Sequence, residues 1–246
     1  MSESRVALIT GSSSGIGAAI ARRLAAEGMR IVVNSARSEA AGKELAAQLP
    51  DAIYVKGDVA GAQDAKRIVR SAIDRYGRLD ILVNNAGTTR FIALDDLDGA
   101  DADAWREIFE VNVIGAWQMI TAATPHLRAS GAASIVNVSS VSATRALGSS
   151  IPYAVSKASV NHMTRLLASQ LGPEIRVNAV APGLIDTPWY DGAEQVWESS
   201  REWITANTPL RRVGTAQDVA EATVYLVNAA YTTGDVLTVD GGRHIV

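Results

Sequence analysis

Short apolar runs alternate along the chain with longer segments of helical periodicity. The runs are continuously apolar or nearly so, which indicates strands buried on both faces of a parallel sheet. They cover Val6–Thr10, Arg30–Asn34, Ile53–Gly57, Ile81–Asn84, Ser134–Ser139, Arg176–Ala181 and Val236–Val239. The pattern therefore predicts seven parallel strands.

Helical patterns fill the intervals between these strands. The first repeats Ile16, Ile20 and Leu24 and stops at Gly28, a residue type that commonly follows a helix. The others cover Ala65–Tyr76, Ala102–Leu127 (bending near Gly115 or stopping before Pro125), Pro152–Leu171 and Ala216–Asn228. Strand–helix alternation implies right-handed crossovers, so we expect one doubly wound, Rossmann-like α/β domain over residues 1–246.

One segment, Leu184 to Gly214, interrupts this alternation. It contains Trp189, Trp197 and Trp203, which are three of the five tryptophans, together with Tyr190. Bulky aromatic residues in an insertion favour a substrate lid over an apolar ligand, with Trp189 as a substrate contact. A helical pair that merely covers a sheet edge is the alternative.

Composition removes several classes of function. The chain has 246 residues, 23 basic and 26 acidic side chains, three histidines and no cysteine. Disulfides and thiolate sites are therefore absent, and the scattered histidines predict no metal site. The mildly acidic balance argues against nucleic-acid binding, and no apolar stretch reaches the roughly 18 residues of a membrane span. Met1–Arg5 leaves no room for a signal peptide, so we expect a cytoplasmic protein.

A glycine-rich turn follows the first strand. Gly11, Gly15 and Gly17 lie between the strand and an amphipathic helix, where backbone N–H groups would face a pyrophosphate. A tight connection without a ligand is the alternative. The second strand ends without an acidic residue to bind a ribose 2′-hydroxyl. Arg37, helped by Ser35 or Ser14, could instead pair with a 2′-phosphate, which favours NADP over NAD unless Arg37 is only a solvated surface charge.

Tyr153 and Lys157 are four residues apart in a predicted helix and share one face. A neighbouring cation favours the phenolate and lowers a tyrosine pKa, which makes general acid–base catalysis plausible. An exposed cation–aromatic pair is the alternative. Lys157 is, however, one of only four lysines in an arginine-rich chain.

With these motifs the sequence resembles a classical short-chain dehydrogenase/reductase, most closely the 3-oxoacyl-carrier-protein reductase-like branch. The resemblance runs along nearly the whole chain. It rests on an ordered set of segments: Thr10–Gly17, Asp58-Val59, Asn84–Gly87, Asn112, Ser140, Tyr153, Lys157, Pro182-Gly183 with Ile185 and Thr187, and Asp240–Gly242.

The resemblance implies a site without a metal. Tyr153 would exchange the proton, Ser140 would bind the substrate oxygen, Lys157 would hold the nicotinamide ribose, and Asn112 would hold a water. Family spacing selects Ser140 over the adjacent Ser139. Cofactor contacts would come from Gly11, Ser13, Ser14, Gly15, Ile16, Gly17, Ser35, Arg37, Asp58, Val59, Asn85, Ala86, Gly87, Tyr153, Lys157, Pro182, Gly183, Ile185 and Thr187.

The implied activity is interconversion of a carbonyl and a secondary alcohol with NAD(P)(H), in a homotetramer built as a dimer of dimers. Neither a nucleic acid nor a membrane is an expected partner. An apolar or aromatic ketone or alcohol is the expected substrate, with a 3-oxoacyl thioester or a sugar or polyol as alternatives. A nicotinamide-binding regulator without turnover is a further alternative, although all four catalytic positions are filled.

Overall fold

The computed structural model describes residues 4–246, so the expectation for the first residues falls largely outside it. The strands are β1 (Val6–Ile9), β2 (Arg30–Ser35), β3 (Ala52–Lys56), β4 (Ile81–Asn84), β5 (Ala133–Val138), β6 (Ile175–Pro182), β7 (Ile185–Asp186), β8 (Gly214–Thr215) and β9 (Val236–Val239). Seven of them form a parallel sheet in the order β3-β2-β1-β4-β5-β6-β9, while β7 and β8 pair with each other. The predicted doubly wound sheet is confirmed.

The helices follow the predicted alternation. They are α1 (Gly15–Ala26), α2 (Glu39–Gln48), α3 (Ala62–Tyr76), α4 (Ala102–Phe109), α5 (Ala116–Ser130), α6 (Ile151–Leu171), α7 (Glu194–Asn207) and α8 (Ala216–Asn228). Single 3₁₀ turns cover Val141–Ala143, Pro188–Tyr190 and Arg243–Ile245. Within residues 4–246, no helix is both long and apolar enough to cross a membrane.

The predicted helix Ala102–Leu127 is interrupted near Gly115 but does not stop before Pro125. A π-helical turn, Glu110–Gly115, joins α4 to α5, and α5 continues through Pro125 to Ser130. Proline costs a helix interior about 3 kcal/mol. Burial of Met119 and Leu127 on the same helix outweighs that loss.

Two apolar layers enclose the sheet, because consecutive residues of each buried strand face opposite sides. Leu8 of β1 packs with α3 and α5, whereas Ile9 packs with α1 and α8. This two-sided burial explains the continuously apolar runs. Because the seven strands are parallel, their carboxyl ends lie on one edge of the sheet. At that edge the connections that follow β1 and β4 run to opposite faces of the sheet. Such a divergence leaves a crevice that suits a ligand.

Candidate active site

A cavity of about 650 Å³ occupies this edge of the sheet. Most of the predicted site residues line it: Gly11, Ser14, Gly15, Ile16, Ser35, Arg37, Asp58, Val59, Asn85, Ala86, Gly87, Ser140, Tyr153, Lys157, Pro182, Gly183, Ile185, Thr187 and Trp189. Ser13, Gly17 and Asn112 do not line the cavity. The structure thus brings residues from widely separated segments together at one cavity, while three of the predicted contacts are not part of its lining.

The glycine turn is shaped by close approaches that a side chain would prevent. Gly11 has φ +59°, and a Cβ built on it would lie 2.8 Å from the Cα of Ala86. A Cβ on Gly17 would lie 2.6 Å from the Gly11 carbonyl oxygen, so Gly17 serves helix–turn packing and is not a wall of the cavity. Gly15 has φ +54°, and a Cβ built on it would make only an ordinary contact with Thr187 at 3.5 Å, so its backbone conformation and not space favours glycine there. The glycines therefore keep open a narrow cleft between two backbone segments.

The N-terminus of α1 is available to an anion. Ser14 stands at the N-cap without a side-chain capping bond, and the first turn contains no acidic residue. Free N–H groups and the helix dipole at such an end bind phosphate. The turn therefore fits the pyrophosphate of a dinucleotide, both in the space it leaves and in its polarity.

Three polar side chains hold this turn in place: Thr10, Asn85, which was predicted as a cofactor contact, and Asn34, which was not predicted as a site residue. Asn34 donates to the carbonyl oxygens of Val55 and Gly57 at 3.0 and 3.1 Å, which ties β2 to the end of β3. Thr10 Oγ1 accepts from the backbone N–H groups of Asn85 and Ala86 at 3.1 and 3.0 Å. The Asn85 amide donates to the carbonyl oxygens of Thr10 and Gly11, each at 2.9 Å. These bonds hold the ends of neighbouring strands in one arrangement.

The end of β2 presents a cation to the cavity. Arg37 is exposed, and its guanidinium has no hydrogen-bond or ion-pair partner among residues 4–246. The Ser35 hydroxyl is buried and lies 3.0 Å from the Tyr54 hydroxyl. Arg37 is therefore free to meet an anion at this end, while Ser35 is partly committed to Tyr54.

Tyr153 and Lys157 stand one helical turn apart at the start of α6. The Ser150 hydroxyl caps this helix by accepting from the Tyr153 N–H at 3.3 Å. Lys157 Nζ donates to the Val138 carbonyl at 2.9 Å and lies 5.7 Å from the centroid of the Tyr153 ring. Helical spacing thus brings the phenol and the ammonium to one buried wall of the cavity.

Burial dominates the electrostatics of this pair. It raises the pKa of Tyr153 well above its ordinary value, and the bond from Ser140 lowers that pKa only in part. Burial also lowers the pKa of Lys157 to about 8. The expectation that Lys157 makes Tyr153 acidic is therefore not met by the chain alone. The ammonium is directed at the Val138 carbonyl, and desolvation outweighs its attraction for a phenolate.

Of the two adjacent serines, Ser140 reaches the phenol. Its Oγ accepts from Ser142 Oγ at 2.7 Å and from Ser142 N–H at 3.2 Å, at the start of the turn Val141–Ala143. Ser139 Oγ instead points to the Lys157 carbonyl at 3.3 Å. Ser142, which the sequence analysis did not select, therefore orients the hydroxyl that faces Tyr153.

Asn112 lies in the π-helical turn and links two neighbouring segments. Its amide donates to the Thr88 carbonyl and to Ser156 Oγ, each at 3.0 Å, and its oxygen accepts from the Thr88 N–H at 2.8 Å. These bonds hold the loop after β4 against α6. The expected contact of Asn112 with a water stays a prediction.

The insertion brings aromatic rings over the chemical end of the cavity. The Trp189 ring lies 5.9 Å from the Tyr153 ring, and Tyr190 lies 5.8 Å from Phe91. Arg243 also lines this end, although nothing in the sequence distinguished it from the other arginines. An apolar body with a reactive oxygen near Tyr153 fits this arrangement.

The acidic side chains in the cavity wall have partners. Glu107 pairs with Arg90 at 2.6 Å, and Asp58 accepts from the Ala60 N–H at 3.0 Å. In the part of the chain that the structure describes, no group of three or more His, Cys, Asp or Glu side chains is placed to hold a metal ion. The charged groups of the cavity therefore suit anionic ligands better than cations.

Known proteins resemble the chain along its whole length. A family model described as enoyl-(acyl carrier protein) reductase matches residues 11–244. A Streptomyces violaceoruber protein, named as ketoacyl reductase 2 of the granaticin polyketide synthase, is 57% identical over 244 residues, covering 99% of this chain and 98% of the relative. The 3-oxoacyl-[acyl-carrier-protein] reductase of Thermotoga maritima is 38% identical over 248 residues, covering 98% of each chain.

Solved structures share the fold. A short-chain dehydrogenase/reductase from Burkholderia xenovorans superposes with a TM-score of 0.92 at 36% identity and full coverage of both chains. The protein ElxO, solved with NADP bound, superposes with a TM-score of 0.90 at 27% identity, covering 99% of this chain and 100% of that one. The cavity therefore lies in a fold that binds a nicotinamide dinucleotide in at least one of these neighbours.

Proposed function

Because the chain belongs to the classical short-chain dehydrogenase/reductase family, and is therefore an oxidoreductase of CH–OH and C=O groups, we propose that it interconverts an apolar or aromatic ketone and the secondary alcohol with NADP(H). Tyr153 is the general acid and base of this proposal. One observation carries it: Tyr153, Ser140 and Lys157 line the same cavity as the uncapped N-terminus of α1.

The chain's own groups suit proton transfer to a carbonyl oxygen. Ser140 is held by Ser142 and donates to the oxygen on which negative charge develops. Tyr153 then supplies the proton that completes the alcohol, a contribution typically worth about 10²- to 10⁴-fold in rate. Lys157 lies on the same wall and would meet the ribose hydroxyls. When bound, the nicotinamide supplies or accepts the hydride.

The preference for NADP(H) rests on Arg37. Its guanidinium faces the cavity without a partner among residues 4–246, and the end of β2 presents no carboxylate there. A guanidinium binds phosphate through two parallel hydrogen bonds, whereas an acidic residue would repel it. The NADP bound to ElxO supports the same choice.

The aromatic wall supports an apolar or aromatic substrate. Trp189, Tyr190 and Phe91 surround the position next to Tyr153, and the segment 184–214 acts as the substrate lid of the proposal. The Streptomyces violaceoruber relative is named as a ketoacyl reductase, and the Thermotoga maritima relative as a 3-oxoacyl-[acyl-carrier-protein] reductase. A 3-oxoacyl thioester is therefore the second candidate, and a sugar or polyol fits the ring-lined wall less well.

An assay matrix tests the proposal. NADPH and NADH are each combined with aryl ketones, 3-oxoacyl thioesters and sugars, and the reverse oxidations are run with the matching alcohols. We expect NADPH-dependent reduction of aryl ketones. Tyr153→Phe should abolish turnover and leave NADPH binding intact in a fluorescence titration. Binding without turnover on any carbonyl would favour the regulator, and full activity of Tyr153→Phe would remove Tyr153 from its role.

Two further properties expected from the family resemblance remain proposals. α5 and α6 carry exposed apolar side chains, among them Trp117 and Leu166, which suit burial against other copies in a homotetramer. One chain has a mass of 25.9 kDa, so a sizing measurement at that mass would contradict assembly. A cytoplasmic location is likewise an expectation.

A further inference from the structure

Arg243 is a partly buried cation in the cavity, and the proposed chemistry does not use it. It lines the cavity, and its Nε is shielded from solvent without a hydrogen-bond partner. No ion pair reaches its guanidinium among residues 4–246. Shielding a charged group from water without a hydrogen-bond partner is costly, and an anionic ligand in the cavity would remove that cost.

The acid nearest to Arg243 in the chain is already engaged. Asp240 is almost fully buried, and its oxygens accept from the N–H groups of Gly242 and His244 at 2.9 and 2.7 Å. The His244 ring lies a further 2.9 Å from the same carboxylate. Asp240 therefore shapes the turn Arg243–Ile245, and its hydrogen bonds go to the turn and to the His244 ring, not to the Arg243 guanidinium.

The side chain of Arg243 is held in place from two sides. Its guanidinium lies over the Trp203 ring of α7, 5.3 Å from the centroid. Arg145 donates to the backbone oxygens of His244 and Val246 at 2.8 and 2.5 Å, which anchors the turn that carries Arg243. A stacked guanidinium on an anchored turn is preorganised for bidentate binding.

Arg243 belongs to the chemical end of the cavity. Tyr153, Tyr190 and Arg243 line the same cavity. Tyr190 and Arg243 both contact α7, because the Tyr190 ring lies 5.2 Å from Trp197 and the Arg243 guanidinium 5.3 Å from Trp203. The other carboxylate at this end, Glu107, is neutralised by Arg90. Asp240 acts on Arg243 only through space, and neither it nor Glu107 makes an ion pair with the guanidinium. An anionic ligand can therefore bind Arg243 directly, with its carbonyl carbon near Tyr153 in the same cavity.

We propose that Arg243 binds a carboxylate on the substrate, and that the preferred substrate is an aromatic ketone with a carboxylate on the side chain that carries the carbonyl. This inference rests on the proposed function and specifies its substrate class. Arg243 is a binding and specificity residue in it, because it contacts the substrate at a group that does not react.

The test compares acids with their neutral esters. The probes are 4-oxo-4-phenylbutanoate, its homologues with one methylene fewer and one more, and the methyl ester of each, all assayed with NADPH. We expect at least one acid to be reduced with a kcat/KM about 10- to 100-fold above that of its ester. In Arg243→Met the acid should lose that advantage, while the ester changes by less than about threefold.

Matched variants separate binding from folding. Arg243→Lys keeps a point charge without the planar fork, so we expect partial retention of the acid preference. Arg70→Met removes an arginine that is 82% exposed on α3 and should leave the preference unchanged. If Arg243→Met fails to fold, Arg243→Lys and Arg243→Gln carry the comparison, since only the former should favour acids.

A binding measurement keeps the two proposals distinguishable. The non-reducible probe 4-phenylbutanoate is titrated against the quenching of tryptophan fluorescence, because Trp203 stacks on Arg243 and Trp189 faces Tyr153. Binding that Arg243→Met abolishes supports the inference even if no ketone is reduced. Equal reduction of acids and esters by the wild type overturns it and leaves the proposed function standing. A preference for acetoacetyl-4′-phosphopantetheine over acetoacetyl-pantetheine that depends on Arg243 assigns the cation to a phosphate and also overturns it.

Discussion

Replacing Lys157 by Met should stabilise the fold at neutral pH while it abolishes turnover. Burial lowers the pKa of Lys157 from 10.5 to about 8, and one pKa unit corresponds to about 1.4 kcal/mol. Holding the ammonium in the folded wall therefore costs about 3 kcal/mol at pH 7. Lys157→Met does not incur this desolvation free energy of about 3 kcal/mol. It loses the hydrogen bond to the Val138 carbonyl, which is worth about 1 kcal/mol. We expect a net gain of about 2 kcal/mol.

The dependence on pH identifies the cause. The folded pKa of Lys157 lies below the unfolded one, so between about pH 8 and 10.5 the unfolded chain binds more protons and wild-type stability rises with pH. The advantage of Lys157→Met should therefore shrink by about 2 kcal/mol between pH 7 and 9.5. Other titrating groups, including Tyr153, are common to both proteins and cancel in the difference.

Urea unfolding of both proteins at about pH 7, 8, 9 and 9.5 measures this difference in the free energy of unfolding. Lys66→Met, which changes an exposed lysine on α3, is the matched control and should give a constant difference. A pH-independent gap for Lys157→Met, or a variant that is less stable than the wild type at pH 7, would refute the reasoning from burial.

Two further predictions concern the cofactor half of the cavity. Arg37→Ala should raise KM for NADPH by about 10- to 100-fold, because it removes a charge-assisted contact with the 2′-phosphate, and it should leave KM for NADH unchanged. Equal effects on the two KM values would contradict the contact. Gly17→Ala should lower both Tm and NADPH affinity, because its Cβ would lie 2.5 Å from Asn85 Nδ2 and 2.6 Å from the Gly11 oxygen. Replacing glycine by alanine inside a helix usually stabilises the helix by about 0.5–1 kcal/mol, so a higher Tm of Gly17→Ala in a thermal melt would contradict the tight packing. Ala26→Val, at an exposed position of α1, is the control.

The sheet could be predicted from the sequence because its physics is local. Strands buried on both faces must be continuously apolar, as Ile81–Asn84 illustrates, and a helix that follows each strand dictates the parallel order. The path through Pro125 could not be predicted in the same way. Local propensity favours an end there, and only the packing of Met119 and Leu127 against distant strands overrides it.

Site residues could likewise be predicted where their pattern is local in the sequence, and not where it depends on folding. Tyr153 and Lys157 share a short spacing, and the glycine turn has a recognisable pattern, so both could be found in the sequence. Asn34 acts through bonds to a strand that only folding brings next to it, so its residue type carried no signal in the sequence. Thr10 belongs to the recognisable glycine turn, but its bonds to Asn85 and Ala86 also depend on folding. The role of Arg243 could not be predicted from the sequence for the same reason. Its guanidinium lacks an ion pair within residues 4–246 only because the Asp240 oxygens accept from Gly242 and His244 in the folded turn.

In the chain alone, burial keeps Tyr153 in the form that can donate a proton. Because burial raises the pKa of Tyr153, its phenol stays protonated at neutral pH, which is the form that donates to a developing alkoxide. Oxidation needs the phenolate, which desolvation disfavours and which the Lys157 ammonium, turned toward Val138, offsets only weakly. A carboxylate at Arg243 would add negative charge to the same end and disfavour the phenolate further. The wall of the cavity and the proposed substrate class therefore both favour the protonated phenol, which is the form that reduction of a ketone uses.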